Sequence, residues 1–253
     1  HTYRQAIREA LYSDFKKPFL ETDLTEIYPV ISDIRYVERN LRDWMRPKRV
    51  SSPLTMLGSR SYVQYESKGV CLILSPWNFP LNLTFGPLVS AIAAGNCAIL
   101  KPSESTPATS QLMQEIVEAL FDPSEVALVQ GEVATAKALL ELPFHHIFFT
   151  GSPGVGKKVM QAASRNLSSI TLELGGKSPA FVDHTAHMES TARRIAWGKC
   201  LNAGQICVAP DYILVTENAR KPLVDALVKQ LEAFYPKGPA ASASYSRIIN
   251  DHH

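Results

Sequence analysis

Cys207 closes the run Leu201-Asn202-Ala203-Gly204-Gln205-Ile206-Cys207, and Glu173 lies in an earlier run, Leu172-Glu173-Leu174-Gly175-Gly176-Lys177-Ser178-Pro179. A thiolate is a strong nucleophile toward a carbonyl carbon, but the acyl group it then carries has to be released, and a carboxylate that activates water does that. The pair points to covalent catalysis through a thioester, with Cys207 as nucleophile and Glu173 as general base. A lone cysteine in a mostly apolar chain is more often a small buried hydrophobe. A third run shifts the balance: Ser75-Pro76-Trp77-Asn78-Phe79-Pro80-Leu81 sets the amide of Asn78 in an apolar wall. Its NH₂ and the backbone N–H of Cys207 suit an oxyanion formed when a thiolate adds to a carbonyl. The competing role for Asn78 is to cap the helix that follows.

Further runs suit a nucleotide. Phe149-Thr150-Gly151-Ser152-Pro153-Gly154-Val155-Gly156 follows an expected strand and opens a helix, so its backbone N–H groups can meet a pyrophosphate at a helix N-terminus. The spacing is not G-x-G-x-x-G, and Lys158 stands where a phosphate loop needs a hydroxyl, which disfavours a nucleotide triphosphatase. Leu100-Lys101-Pro102-Ser103-Glu104 lies at another strand end, where Lys101 and Glu104 can bond ribose hydroxyls. A plain salt-bridged surface turn explains that pair equally well.

Taken in order, these runs resemble the aldehyde dehydrogenase superfamily. In that family P-W-N-F-P places an Asn amide in the oxyanion hole, E-L-G-G-K-S-P carries the general base and G-Q-x-C the nucleophile, which map to Asn78, Glu173 and Cys207. The resemblance implies cofactor contacts at Trp77, Leu174, Lys101 and Glu104, and at the phosphate turn of Gly151, Ser152 and Gly156. It further implies oxidation of a small-molecule aldehyde to a carboxylate with NAD(P), through a cysteine thiohemiacetal and thioester. A carboxylate at Glu104 should repel a 2′-phosphate, which favours NAD and leaves NADP as the alternative. Pro153 after Ser152 and the L-K-P-S-E form resemble the class 3, fatty-aldehyde-like branch. A CoA-acylating or semialdehyde-type relative stays open, as does a nucleotide-binding fragment without turnover. Members of the family are longer, so the chain is expected to be the N-terminal part of a larger protein.

The elements that must position these residues follow from hydrophobic spacing. Helical periodicity marks two opening helices, one through Tyr3, Ile7, Leu11 and Phe15 and one through Val30, Ile34, Val37 and Leu41. Residues 49–67 read as extended around a turn at Gly58-Ser59, and the resemblance makes them a projecting hairpin that pairs with another subunit. Apolar runs at 70–75, 97–101, 126–130, 147–150 and 170–174 alternate with helical patterns such as 110–121 and 134–142. That alternation predicts an α/β fold, a doubly wound parallel sheet of the Rossmann-like kind, with Asn78, Lys101, Gly151 and Glu173 at the carboxyl ends of strands, where such sheets bind ligands. A second set, strands at 179–182 and 212–216 with helices at 190–200 and 219–234, begins after Gly175-Gly176. The chain therefore divides into an NAD(P)-binding domain, 1–175, and the first part of a catalytic domain, 176–253.

Composition excludes several classes. A formal net charge of +2 with scattered basic residues gives no nucleic-acid surface. The most apolar stretch, 88–100, is broken by Gly95-Asn96, so no membrane span is evident in this segment. Cys71, Cys97, Cys200 and Cys207 lack metal or disulfide spacing, and H-x-x-H at His184 and His187 has Asp183 as its nearest acidic partner but is not an open zinc motif such as H-E-x-x-H, so no metal site is expected. A reducing, cytoplasmic setting and a homo-oligomer, dimer or tetramer, complete the expectations.

Overall fold

Apolar residues at helical spacing form α1 (Arg4–Phe15), which buries Ile7, Leu11 and Phe15 and stops at Lys16, in the left-handed region at φ 56°. The computed structural model describes residues 2–253. After α1 the chain turns into α2 (Phe19–Thr22), runs through a π-helical turn at Asp23–Ile27 and continues as α3 (Tyr28–Trp44). Spacing anticipated the first and last of these but not the segment between them, where polar and apolar residues follow neither a helical nor a strand period. Asp23 in the π turn accepts hydrogen bonds from Arg4 and Arg8, which clips the turn against α1. Those arginines hold its carboxyl well below the usual carboxylate range.

The extended stretch becomes a short antiparallel ribbon, β1 (Lys48–Val50) with β2 (Ser61–Val63), in which Lys48 faces Val63. Gly58 takes φ +91° at the bend. The ribbon is shorter than the 49–67 span expected from sequence, and it leaves Leu54, Leu57 and Tyr62 largely in solvent.

The central sheet is built by β3 (Val70–Leu74), α4 (Asn82–Ala93), β4 (Cys97–Lys101), α5 (Pro107–Leu120), β5 (Val126–Leu128), α6 (Val133–Leu140), β6 (His146–Gly151), α7 (Pro153–Ala163) and β7 (Ser169–Leu174). Its five strands run in the order β5-β4-β3-β6-β7, with every neighbouring pair parallel. Side chains alternate across β3: Leu72 and Leu74 join Phe149, Val159 and Ala163 beneath α7, whereas Ile73 joins Leu88, Leu100 and Val117 beneath α4 and α5. Both faces are thus covered, the doubly wound arrangement that alternating apolar strands and amphipathic helices dictate. Because β4 and β6 flank β3, the chain leaves β3 and β6 toward opposite faces and opens a crevice at their carboxyl ends.

Beyond Gly175-Gly176 the chain forms β8 (Ser178–Val182), α8 (Met188–Cys200), β9 (Pro210–Val215) and α9 (Glu217–Phe234). β8 and β9 pair in parallel as a separate two-stranded sheet, packed through Val182 against Ala192 and Leu223 of the two helices. Its other face carries Phe181, which is 77% exposed. No helix among the described residues is long and apolar enough to cross a membrane.

Candidate active site

The crevice at the switch point is a cleft of about 1040 Å³, and Trp77, Asn78, Gly151, Ser152, Glu173, Leu174 and Cys207 all contribute to its walls. They come from four places: the loop after β3, the turn between β6 and α7, the end of β7, and the loop after α8. Register fixes part of this arrangement, since Thr150 pairs with Glu173 and Gly151 with Leu174. Cys207 is exposed, so its thiol is open to a ligand.

The loop that carries Cys207 is held in an unusual conformation. After α8 the chain passes through Asn202 (φ 51°, ψ 31°), Ala203 (φ 55°, ψ 28°) and Gly204 (φ 77°). Left-handed backbone costs a non-glycine residue roughly 1–2 kcal/mol, so the surroundings must over-determine it. They do so through hydrogen bonds. The buried Asn202 side chain donates from Nδ2 to the carbonyl oxygens of Asn78 (2.9 Å) and Gln205 (3.3 Å). Asn78 returns a bond from its own Nδ2 to the Gln205 carbonyl at 2.9 Å. Gln205 donates from Nε2 to the carbonyls of Asn202 (2.9 Å) and Arg247 (3.1 Å), and its Oε1 accepts from Ile249 N (3.0 Å). The Asn78 and Cys207 segments are therefore bonded to each other in both directions, and Asn78 does not cap α4, whose N-cap position is Leu81.

Two glycines permit the close approach. A Cβ at Gly176 would lie 3.3 Å from the Cys207 carbonyl oxygen, and one at Gly204 would lie 2.9 Å from the backbone oxygen of Lys199. Gly204 also has positive φ, so Gly204→Ala combines strain with a backbone clash. The substitution is expected to destabilise the protein by about 1–3 kcal/mol and to displace the Cys207 loop. Thermal unfolding together with the alkylation rate of Cys207 checks this, and both should change.

The opening helices brace the site from behind. Lys17 and Glu26 are both fully buried, with Nζ 2.6 Å from Oε1. Burial pushes Lys17 down and Glu26 up, and their mutual attraction opposes both shifts. Oε2 of Glu26 accepts from Asn82 N at 2.9 Å at the start of α4, and Lys17 Nζ sits 4.0 Å from the centre of the Phe79 ring. The partly buried Glu21 accepts from Asn202 N at 3.0 Å. Burial pushes the Glu21 carboxyl up, against the pull of Asn202, Lys17 and Ser246.

The β6–α7 turn has its own packing logic. Ser152 caps α7 by accepting from Val155 N at 3.4 Å. Gly156 is buried, and a Cβ there would lie 2.9 Å from Leu174 Cδ2, so this glycine acts by letting α7 sit close to β7 rather than by facing the cleft. Gly154 has open space around its Cβ direction. Two hydroxyls in this region, Ser75 Oγ and Thr150 Oγ1, are buried without a hydrogen-bond partner, and Thr150 lines the cleft. A helix N-terminus beside unpaired polar atoms suits a polar, anionic ligand.

Lys101 and Glu104 stand apart from the main cleft. Lys101 is buried at the end of β4 and donates from Nζ to the Pro102 carbonyl (3.0 Å) and to Glu104 Oε2 (3.4 Å). Glu104 borders a smaller hollow of about 160 Å³ with Ser103, Gln130 and Gly131. Trp77 packs edge-on against His253, with ring centroids 4.7 Å apart. His145 and His187 each accept a backbone N–H, from Val70 and Ser190 respectively.

Sequence spacing gave no role to Asn202, Glu21 or the Lys17–Glu26 pair. Asn202 and Gln205 stood inside the cysteine motif, but nothing in the motif says that their side chains tie it to Asn78. For Glu21 there was no signal, because an acidic residue in a four-residue stretch with no periodicity looks like solvated surface.

The model of the aldehyde dehydrogenase family matches residues 2–250. The chain belongs to the aldehyde dehydrogenase family. It is 44% identical over 252 residues to 4,4'-diaponeurosporen-aldehyde dehydrogenase of Staphylococcus aureus, covering 100% of this chain and 55% of that protein. To aldehyde dehydrogenase family 3 member B1 of Bos taurus it is 44% identical over 250 residues, covering 99% of this chain and 53% of the relative. Among solved structures, the substrate-bound state of Staphylococcus aureus AldH superimposes with a TM-score of 0.95 at 44% identity, over 98% of this chain and 54% of that one. PnpE in complex with nicotinamide adenine dinucleotide gives a TM-score of 0.83 at 27% identity, over 92% of this chain and 47% of that one. The chain spans about half the length of the family relatives it matches.

Proposed function

We propose that the full-length protein oxidises an aldehyde to a carboxylate with NAD, using Cys207 as nucleophile, Asn78 as oxyanion donor and Glu173 as general base. One observation carries this: the three side chains line a single cleft, and the Asn78 amide is hydrogen-bonded to the loop that presents the thiol. The unpartnered Thr150 hydroxyl and the capped helix turn of that cleft fit a dinucleotide. The residues that would hold it are Trp77, Gly151, Ser152 and Leu174, with Gly156 keeping α7 against β7 and Lys101 and Glu104 reserved for the ribose. When bound, a nicotinamide supplies the two-electron oxidant.

The chain's own residues do the rest. Cys207 Sγ adds to the carbonyl carbon, forming a C–S bond and an oxyanion. Asn78 Nδ2 has two N–H groups; one is given to Gln205, and the other, with the Cys207 backbone N–H, is available to that oxyanion. Once the adduct is oxidised, Glu173 takes a proton from water. The resulting hydroxide breaks the thioester C–S bond and regenerates the thiolate.

The relatives named for diaponeurosporen-aldehyde and for family 3 support a hydrophobic aldehyde of the class 3, fatty-aldehyde-like type, and Leu83, Pro87 and Ala91 give the cleft an apolar wall. Residues 176–253 make the first part of the catalytic domain. The exposed ribbon of β1 and β2 suits pairing with a second copy in a homodimer, and the reduced cysteines suit the cytoplasm.

The test is spectrophotometric. Full-length protein mixed with medium-chain or aromatic aldehydes should form reduced nicotinamide with NAD in preference to NADP, without a requirement for CoA. Asn78→Ala is expected to lower kcat about 10²–10³-fold while leaving NAD affinity unchanged. Equal kcat in that variant removes Asn78 from the scheme.

A further inference from the structure

The backbone that presents Cys207 is fixed at Asn202 by a residue 181 positions before it in the chain. Asn202 is wholly buried, and its backbone N–H leaves the α8 ladder because Leu201 before it is extended, at ψ 132°. Glu21 Oε2 accepts that N–H at 3.0 Å, and Ser246 Oγ reaches the same oxygen at 3.5 Å. No other acceptor for the Asn202 N–H occurs among the described residues. Without it, a buried donor is left unpaired at the start of two consecutive left-handed residues, neither of them glycine.

The consequence reaches both groups that face the oxyanion. Asn202 holds the Asn78 carbonyl through its side chain and the Gln205 side chain through its own carbonyl. A turn that relaxes at Asn202 therefore moves the Cys207 N–H and loosens Asn78 together. We propose that Glu21 is a positioning residue that locks the nucleophile loop and, through Asn202, aligns the Cys207 amide with Asn78. This rests on the assignment of Cys207 as nucleophile. Glu21 does not line the cleft, and of its two hydrogen-bond partners, Asn202 N and Ser246 Oγ, it is Asn202 that connects it to the nucleophile loop. Lys17, paired with Glu26 on the same N-terminal segment, attracts the Glu21 carboxylate.

The experiment compares Glu21→Ala and Glu21→Gln in the full-length protein, reading kcat with an aldehyde, the dissociation constant for NAD, and the iodoacetamide alkylation rate of Cys207 followed by peptide mass. Glu21→Ala is expected to slow both kcat and alkylation by about ten-fold or more, with NAD affinity within about two-fold of the parent. Glu21→Gln keeps an oxygen that accepts from Asn202 N and is expected to recover most of both rates. Parental alkylation in the alanine variant overturns the proposal, as does equal impairment of the alanine and glutamine variants, or a loss of NAD affinity in step with kcat. Should the alanine variant fail to fold, Glu21→Met keeps the length without the acceptor and faces the same criteria. A parent that oxidises no aldehyde sinks the proposed function alone, and the alkylation rates then still decide the part played by Glu21.

Discussion

Cys207→Ala in the full-length protein is expected to lower kcat for aldehyde oxidation by about 10⁴-fold or more, with NAD binding intact. The reason is chemical rather than structural. Cys207 is exposed at the cleft wall and contributes little packing, so alanine removes the sulfur that forms the covalent bond and leaves the fold as it was. Substitution of Cys71, which is buried in β3, should behave in the opposite way, costing stability through lost packing and sparing the chemistry. Steady-state kinetics alongside NAD titration separates the two outcomes. Retention of more than about a tenth of the parental kcat in Cys207→Ala excludes the thiol as nucleophile.

The second large effect is expected for Glu173→Gln. Glutamine matches the size of the carboxylate at the end of β7 but cannot take a proton from water, so only release of the acyl group should suffer. Turnover is expected to fall about 10²–10⁴-fold while the first turnover stays fast, giving a burst of reduced nicotinamide close to one per active site. CoA gives the variant a further diagnostic. If the natural acceptor were CoA, adding it would restore turnover; with water as acceptor, it should not.

The parallel sheet was legible in the sequence because its strands are short apolar runs with helices between them. Those at 97–101 and 170–174 match β4 and the body of β7 closely. The convergence of Asn78, Gly151 and Glu173 was legible for the same reason, since in a parallel sheet all strand ends point one way. The Cys207 loop was legible as a motif and not as a structure. Its left-handed turn at Asn202 and Ala203 is stabilised by bonds to Glu21 and Asn78, whose separations in sequence leave no periodic trace. The buried Lys17–Glu26 pair was hidden for a related reason, as charged residues between two helices look like a solvated connector until the fold closes over them. Its spacing makes Gly156 a phosphate-turn glycine, and its place beneath Leu174 adds a packing reason that spacing alone does not supply.

The central claim is that the acyl group resides on the sulfur of Cys207. Full-length Glu173→Gln, mixed with NAD and a medium-chain aldehyde and quenched in acid after one turnover, can be digested and weighed peptide by peptide. The account predicts the acyl mass on the peptide containing Cys207, in near-stoichiometric amount and removable by hydroxylamine. Carboxylate formed with an unmodified Cys207, or the acyl mass on Cys71, Cys97 or Cys200 instead, would contradict it.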